Sequence, residues 1–207
     1  MSEKANFSNI YKFYDFINTV LTLGFDKAWR VKAVNNLTGT SVLDLGSGTG
    51  AAYKQLLNYE TTAIDPDKKM LELNTFENKV LGSAENLPFE NNSFDNVFCS
   101  FVWRNVSDTN KALDEVYRVL SPGGKFVLLD MTRPKNSFLR VLHKIGTFKI
   151  LHLIGLITFN LKEYRFLFKS LDFYPQPENH LEKGRFIDLK IKRMGIFDFV
   201  YLAVFTK

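Results

Sequence analysis

The stretch from Ser41 to Gly50, SVLDLGSGTG, limits what this chain can fold into more than any other. Val42, Leu43 and Leu45 make a short apolar strand, and glycines follow at every second position: Gly46, Gly48 and Gly50. Glycine adopts positive φ without strain and has no Cβ, so the backbone can turn sharply and a ligand can approach it closely. A helix expected over residues 50–57 would aim its free N–H groups and positive dipole end at that turn. Asp44 puts a carboxylate near the end of the strand, where a bound positive group would meet it. The next apolar segment, Thr61 to Ile64, ends at Asp65. That is about 20 residues past the first glycine, the offset at which an acidic residue reaches ribose hydroxyls. The stretch reads as a cradle for a nucleoside cofactor, with Asp44, Gly46, Ser47, Gly48, Gly50 and Asp65 as its candidate residues.

Gly46-x-Gly48-x-x-Ala51 also satisfies the relaxed dinucleotide fingerprint, so a nicotinamide or flavin nucleotide, or a glycine turn with no ligand, stays open. Asp44 argues against a pyrophosphate, which it would repel. S-adenosylmethionine instead brings a cationic ammonium and sulfonium, and Gly50 leaves room for its methionine tail.

Around this motif the pattern is that of a mostly parallel, Rossmann-like α/β sheet. Strands are expected at about 41–45, 61–64, 79–81, 94–100 and 125–130. Helices are expected at 50–57, after Pro66, and from Asp108 to Leu120, where Ser121-Pro122-Gly123-Gly124 should stop the last one. Two helices precede the first strand: one carries Phe7, Ile10, Tyr14, Ile17 and Leu21 on a single face and stops at Gly24. The other runs from Asp26 past Trp29 to about Leu37. They either cap the cofactor cleft or cover a sheet face, and Tyr11, Tyr14 and Trp29 suit a ligand boundary. A short helix near 178–183 and an antiparallel hairpin, 186–192 with 197–205, close the chain and bring the sheet to seven strands. With no linker or repeat, one domain is expected: cap 1–39, cofactor-binding core 40–132, helical lid 133–175, and a final helix and hairpin 176–207. Ligands of such sheets sit beyond the carboxyl ends of the strands, which should gather Asp44, Gly46, Asp65, the Ser83-Ala84 turn, Ser100 to Asn105, and Asp130.

Composition excludes more than it selects. The single cysteine, Cys99, rules out an internal disulfide, and with three scattered histidines it offers no metal cluster. Twenty phenylalanines point to an aromatic core or a roomy apolar pocket. The start of the chain lacks an apolar signal core, and no run reaches the ~20 apolar residues that span a bilayer, so a cytoplasmic protein is expected. The net charge of +5 admits anionic partners. Residues 131–162 contain no acidic residue, and they interleave Arg133, Lys135, Arg140, Lys144, Lys149 and Lys162 with aliphatic and aromatic side chains. This stretch suits peripheral contact with an anionic membrane over 133–162, or a lid helix that keeps its bases in water. Nucleic acid is not an expected partner, because the bases are interleaved with aliphatics. The oligomeric state is left open.

With these segments placed, the sequence resembles a class I adenosylmethionine-dependent methyltransferase. More narrowly it is similar to the ubiquinone/menaquinone biosynthesis C-methyltransferase family. The glycine loop marks the superfamily. Arg104-Asn105-Val106-Ser107-Asp108, Tyr117 to Gly124, and Tyr164-Arg165-x-Leu167-x-x-Ser170 carry the narrower resemblance. The resemblance implies an enzyme that methylates a ring carbon of an apolar, prenylated quinol. It also implies cofactor contacts at Thr49, Asp65, Ser83, Ala84 and Ser100. Arg104 and Asn105 become the catalytic candidates, with Arg104 stabilising a quinolate oxygen and Asp130, His143 or Glu163 receiving the proton. Tyr14, Trp29, Trp103 and Tyr164 are the substrate or lid candidates. Two departures stand out: Ser83 replaces an Asp or Asn, and Val102-Trp103 replaces a Gly-Leu pair, which should place bulk beside the substrate. Another apolar small molecule methylated at O, N or C, a nucleic-acid methyltransferase, and a non-catalytic cofactor-binding protein are the competing readings.

Overall fold

The computed structural model describes residues 14–158, 161–182, 184–195 and 197–207, with the backbone alone at 14–16, 162, 163 and 166. Phe7, Ile10 and Tyr11 of the expected first helix lie outside the described residues. Two helices lead, α1 (Tyr14–Leu21) and α2 (Asp26–Val34). The alternating core follows as β1 (Ser41–Leu45), α3 (Tyr53–Leu56), β2 (Glu60–Asp65), α4 (Lys68–Leu73), β3 (Asn78–Leu81), β4 (Phe94–Ser100), α5 (Thr109–Val119) and β5 (Leu120–Met131). The last elements are α6 (Ser137–Ile157), α7 (Leu161–Phe173), α8 (Pro177–His180), β6 (Asp188–Met194) and β7 (Val200–Thr206). The seven strands form one sheet in the order β3-β2-β1-β4-β5-β7-β6. β1 to β5 run parallel, and β7 is antiparallel to both β5 and β6.

Strand periodicity sorts the side chains between two apolar layers. Val42, Phe98, Val127 and Leu129 pack with Ile17, Trp29 and Ala33 of α1 and α2. Leu43, Val97, Cys99 and Leu128 face the other way, against Ala112, Val116 and Val119 of α5. Period two therefore puts Asp44 and Ser100 on the α2 side, and Asp130 on the opposite side with its cross-strand partner Tyr201.

The expected ends of α2, of the last helix (Pro177–His180 in the structure) and of the hairpin strands (Asp188–Met194 and Val200–Thr206) shift by a few residues, and two further boundaries move for a local reason. The helix after the glycine loop shrinks to Tyr53–Leu56, because Gly46, Gly48 and Gly50 all have positive φ and hold residues 47–52 in turns. A helix of 4 residues carries little dipole to aim at the loop. The helix over 109–119 stops as expected, but Ser121 to Gly124 belongs to β5. Leu120 already pairs with Phe94, and the extra residues are absorbed in a register shift before Asn96 meets Lys125.

Candidate active site

The three loop glycines are required for different reasons. A Cβ at Gly46 would lie 2.5 Å from Cγ1 of Val102, so this turn is closed by a neighbouring side chain. At Gly50 it would meet Oδ1 of Asn74 at 2.8 Å. At Gly48 it would meet nothing within 4 Å, so that residue faces open space. The space is a cavity of about 470 Å³ at the carboxyl ends of β1, β2 and β4, and Gly46, Gly48, Asp65, Ser83, Ala84 and Asn105 all line it.

Asp65 is the hinge of the cradle. Its carboxylate accepts N–H bonds from Gly48 at 2.9 Å and Asp67 at 2.8 Å. Burial pushes its pKa up to about 6 even though those two bonds oppose the shift. Ser83 donates to Glu85, whose other oxygen accepts from the backbone N–H of Ser107 at 3.0 Å and of Asp108 at 3.3 Å. Glu85 lines the cavity and ties the exit of β3 to the turn after β4, so a carboxylate stands two residues from the position that Ser83 leaves without one. Glu85 is not among the residues the sequence singled out, although it directly follows the Ser83-Ala84 turn.

Beneath the loop the expected residues engage one another. Asp44 is buried, and its Oδ2 has no hydrogen-bond partner among the described residues. Burial lifts its pKa to about 7, a rise that nearby Arg30 opposes and Asp65 adds to. Arg30 reaches this spot from α2: Nη1 donates to Asp26 at 2.6 Å, Nε donates to the Ser100 hydroxyl at 3.3 Å, and the guanidinium lies over the Phe101 ring. Arg30 was not foreseen. Its i, i+4 spacing from Asp26 was visible, but which sheet face α2 would cover was not. Ser47 is held from the other side, its hydroxyl accepting from Asn74 at 3.1 Å. Asp44, Ser47, Thr49, Gly50 and Ser100 support the cradle without being among the residues that line it.

The turn after β4 separates the two catalytic candidates. Phe101 takes positive φ, an uncommon state for a buried aromatic residue, and reverses the chain. Asn105 lines the cavity, and its Oδ1 is buried with no hydrogen-bond partner among the described residues. Arg104 points away beneath it. Its backbone N–H donates to Asp130 at 2.9 Å, its Nη1 donates to the other oxygen of the same carboxylate, and the pair is buried. The N–H of Met131 also donates to Asp130 at 2.7 Å.

The substrate and lid candidates scatter. Trp103 turns into the core against Phe126 and is fully buried, so of the bulky pair only Val102 lines the cavity. The expectation of tryptophan bulk beside the substrate is thus not met, because the turn that exposes Asn105 sends the indole inward. Trp29 is packed between Phe25 and the edge of Phe199. Tyr164 is buried between α6 and α7, and the side chain of Tyr14 lies outside the described residues. His143 packs on Phe199, where burial and the Arg133 charge lower its pKa to about 4. The side chain of Glu163 lies outside the described residues. No group of His, Cys, Asp and Glu among the described residues is arranged to hold a metal.

A glycine-opened strand end, an acidic residue at the end of the second strand and a terminal antiparallel hairpin define a class I methyltransferase of Rossmann-like fold. Solved structures share this architecture. A SAM-dependent methyltransferase from Thermotoga maritima superposes with a TM-score of 0.66 at 20% identity, covering 98% of this chain and 100% of that one. A protein from Methanococcus maripaludis, described as an S-adenosyl-L-methionine-dependent methyltransferase, gives 0.62 at 23% identity, covering 100% and 97%. More narrowly, residues 3–188 match the model of the ubiE/COQ5 methyltransferase family, and the chain belongs to that family. Its relatives include the ubiquinone/menaquinone biosynthesis C-methyltransferases of Rickettsia bellii and Rickettsia akari. The first is 36% identical, covering 91% of this chain and 86% of that protein; the second is 34% identical, covering 83% and 78%. The cofactor is S-adenosylmethionine, and the chemistry of the residues present is compatible with it: open backbone at Gly48, a cavity-lining carboxylate at Asp65, and the buried Asp44 carboxylate behind the glycine turn, one oxygen of which has no partner among the described residues.

Proposed function

We propose that this enzyme methylates a ring carbon of a prenylated quinol, in the manner its relatives' names describe. The observation that carries the reading is the Arg104-Asn105 turn, which joins a buried, carboxylate-held cation to a cavity-lining residue whose buried amide oxygen lacks a partner among the described residues. S-adenosylmethionine supplies an electrophilic methyl group, and the chain supplies position, charge and exclusion of water. Val102, Val106 and Asn105 wall the cavity where an aromatic ring would lie beside that methyl. Positioning of this kind is worth roughly 7–11 kcal/mol of the barrier.

A ring carbon becomes nucleophilic as the neighbouring hydroxyl gives up its proton. Asn105 orients that hydroxyl, whose one proton stays free to pass to water, and Arg104, paired with Asp130 beneath the turn, fixes the turn and screens the developing anion. Arginine is too basic to take the proton itself. Asp130 has its oxygens committed to Arg104 and Met131, and His143 does not line the cavity. Water at the cavity mouth is therefore the carrier in this reading. The test is incubation with methyl-labelled S-adenosylmethionine and a short-chain demethylmenaquinol. Label in the C-methylated ring supports the proposal, while label on oxygen or no transfer overturns it.

The same reading sets the lid against an anionic membrane, where a prenylated substrate resides. α6 carries exposed Phe138, Val141, Leu142, Ile145, Phe148, Leu153, Leu156 and Ile157 beside Arg140, Lys144 and Lys149, and the helix has no acidic residue. Among the described residues no helix is long and apolar enough to cross a bilayer, so the contact proposed is peripheral. Flotation of the protein with anionic vesicles, lost when Leu142 and Ile145 are made polar, tests it.

A further inference from the structure

The lid carries a second, smaller cleft that the methyl-transfer reading does not use. It has a volume of about 70 Å³ between α6 and α7, with Phe148, His152, Leu161, Tyr164, Arg165 and Phe168 around it. Gly155 lets the two helices approach: a Cβ there would sit 3.0 Å from Leu161 and 3.3 Å from the Tyr164 ring. The close approach leaves Tyr164 1% exposed, and its hydroxyl has no hydrogen-bond partner among the described residues. A hydroxyl buried in this way is costly unless something else satisfies it. His152 stands on the wall of the cleft, stacked on Phe148 with ring centroids 5.6 Å apart. Arg165, next in sequence to Tyr164, sits at the rim.

Among the described residues the lining carries a guanidinium and an imidazole, with the buried Tyr164 hydroxyl behind it, and no carboxylate. Such a set selects an anion with several acceptor oxygens, and the arginine fork suits a phosphate. The remaining walls are apolar, which disfavours a fully hydrated free ion and favours a phosphate ester with a non-polar attachment. Phe148, His152, Leu161 and Arg165 are exposed, so the cleft opens on the surface from which α6 projects its apolar residues. We propose that this cleft holds the phosphate of an anionic membrane lipid, with Tyr164 and His152 donating from inside and Arg165 closing over it. The inference rests on the membrane reading of α6 and converts a diffuse surface attraction into a specific headgroup site.

The test uses the full chain with dihexanoylphosphatidylglycerol, which is soluble as a monomer, and separately with phosphatidylcholine vesicles with and without phosphatidylglycerol. Tyr164→Phe removes one buried oxygen, and Arg165→Gln changes an exposed side chain that the fold does not need. Each is expected to weaken binding of the soluble lipid by about tenfold, the scale of one charge-assisted hydrogen bond. Lys149→Gln, on α6 but outside the cleft, should weaken vesicle binding and leave soluble-lipid binding unchanged. Thermal unfolding of each variant checks that it has folded. Wild-type affinity for the soluble lipid in both cleft variants, or no binding of it by the wild type, overturns the site. Equal affinity for inorganic phosphate overturns the lipid assignment in favour of a free anion. The membrane reading stands or falls separately on whether the wild type floats with the anionic vesicles, so a chain that floats but ignores the soluble lipid sinks the headgroup site alone.

Discussion

The cofactor edge and the lid solve opposite problems with different kinds of residue. At the cofactor edge the polar groups are fixed by the backbone and by one another: Asp65 grips Gly48 and Asp67, Glu85 grips Ser107 and Asp108, and Arg30 grips Asp26 and Ser100. The lid is anchored at its base, where Arg133 donates to Asp172 at 2.8 Å and to Thr147 at 2.8 Å. Beyond that anchor α6 buries Leu151 and Gly155, rests Ile150 and Ile154 against the core, and leaves Phe138, Val141, Leu142, Ile145, Phe148, Leu153, Leu156 and Ile157 exposed. A site that must hold one charged cofactor in one geometry needs preorganised dipoles. A surface that meets a fluid apolar phase needs area and mobile positive charge, and little fixed geometry.

The comparison can be broken by experiment at either end. The largest effect is expected at the turn after β4. Arg104→Gln should lower kcat on a quinol by about 10²–10³-fold with S-adenosylmethionine affinity nearly unchanged, the scale of a lost electrostatic contribution at a developing anion. Thermal unfolding is the control, because the change leaves the buried Asp130 carboxylate without its cation. Full turnover in this variant would remove Arg104 from the mechanism. Next in size, Asp65→Ala should weaken cofactor binding by roughly ten- to a hundredfold by calorimetry, since hydrogen bonds to charged groups contribute about 1.5–3 kcal/mol each.

A smaller effect should follow pH. The folded-state pKa of Asp44 is raised to about 7 by burial, so the native state takes up a proton that the unfolded chain lacks between its ordinary value of 3.8 and that pH. The group's contribution to stability is fully present at acid pH and is lost as pH rises through 7. A cationic ligand reverses the preference, because it favours the carboxylate. S-adenosylmethionine affinity should therefore fall about tenfold between about pH 8 and pH 6, with proton release on binding in the lower part of that window. Asp44→Asn should flatten the profile, and an unchanged slope would assign the titration to another group.

The smallest effect on stability is expected on the outer face of α6. Leu142→Gln should shift unfolding by no more than about 0.5 kcal/mol, as exposed substitutions do. Leu151→Ala, on the buried face of the same helix, should cost about 2–5 kcal/mol. Equal costs at the two positions would mean that the outer face is packed against protein, and the contrast between the regions would fail.

What could be read from the sequence followed local rules. The apolar run of Val42, Leu43 and Leu45 marked the first strand, glycine spacing marked the loop, and Asp44 and Asp65 fell at strand ends because their positions in the chain put them there. The reading went astray where a turn or a neighbour decided the outcome. Trp103 lies inward because Phe101 reverses the chain one residue earlier than a glycine at 102 would suggest. Helix α3 is short because three positive-φ residues cannot join a right-handed helix.

By itself, then, the sequence determined that the glycine loop, Asp44 and Asp65 lie at the strand ends, since the pitch of a strand and the freedom of a glycine depend on nothing beyond the adjoining residues. Tertiary structure alone decided their partners. Arg104 meets Asp130, 26 residues away, because β4 and β5 are neighbours in the sheet, and Arg30 meets Ser100 because α2 covers one face and not the other. Such pairings depend on strand order and helix placement, which are set by how the whole apolar surface is buried and are written in no single segment.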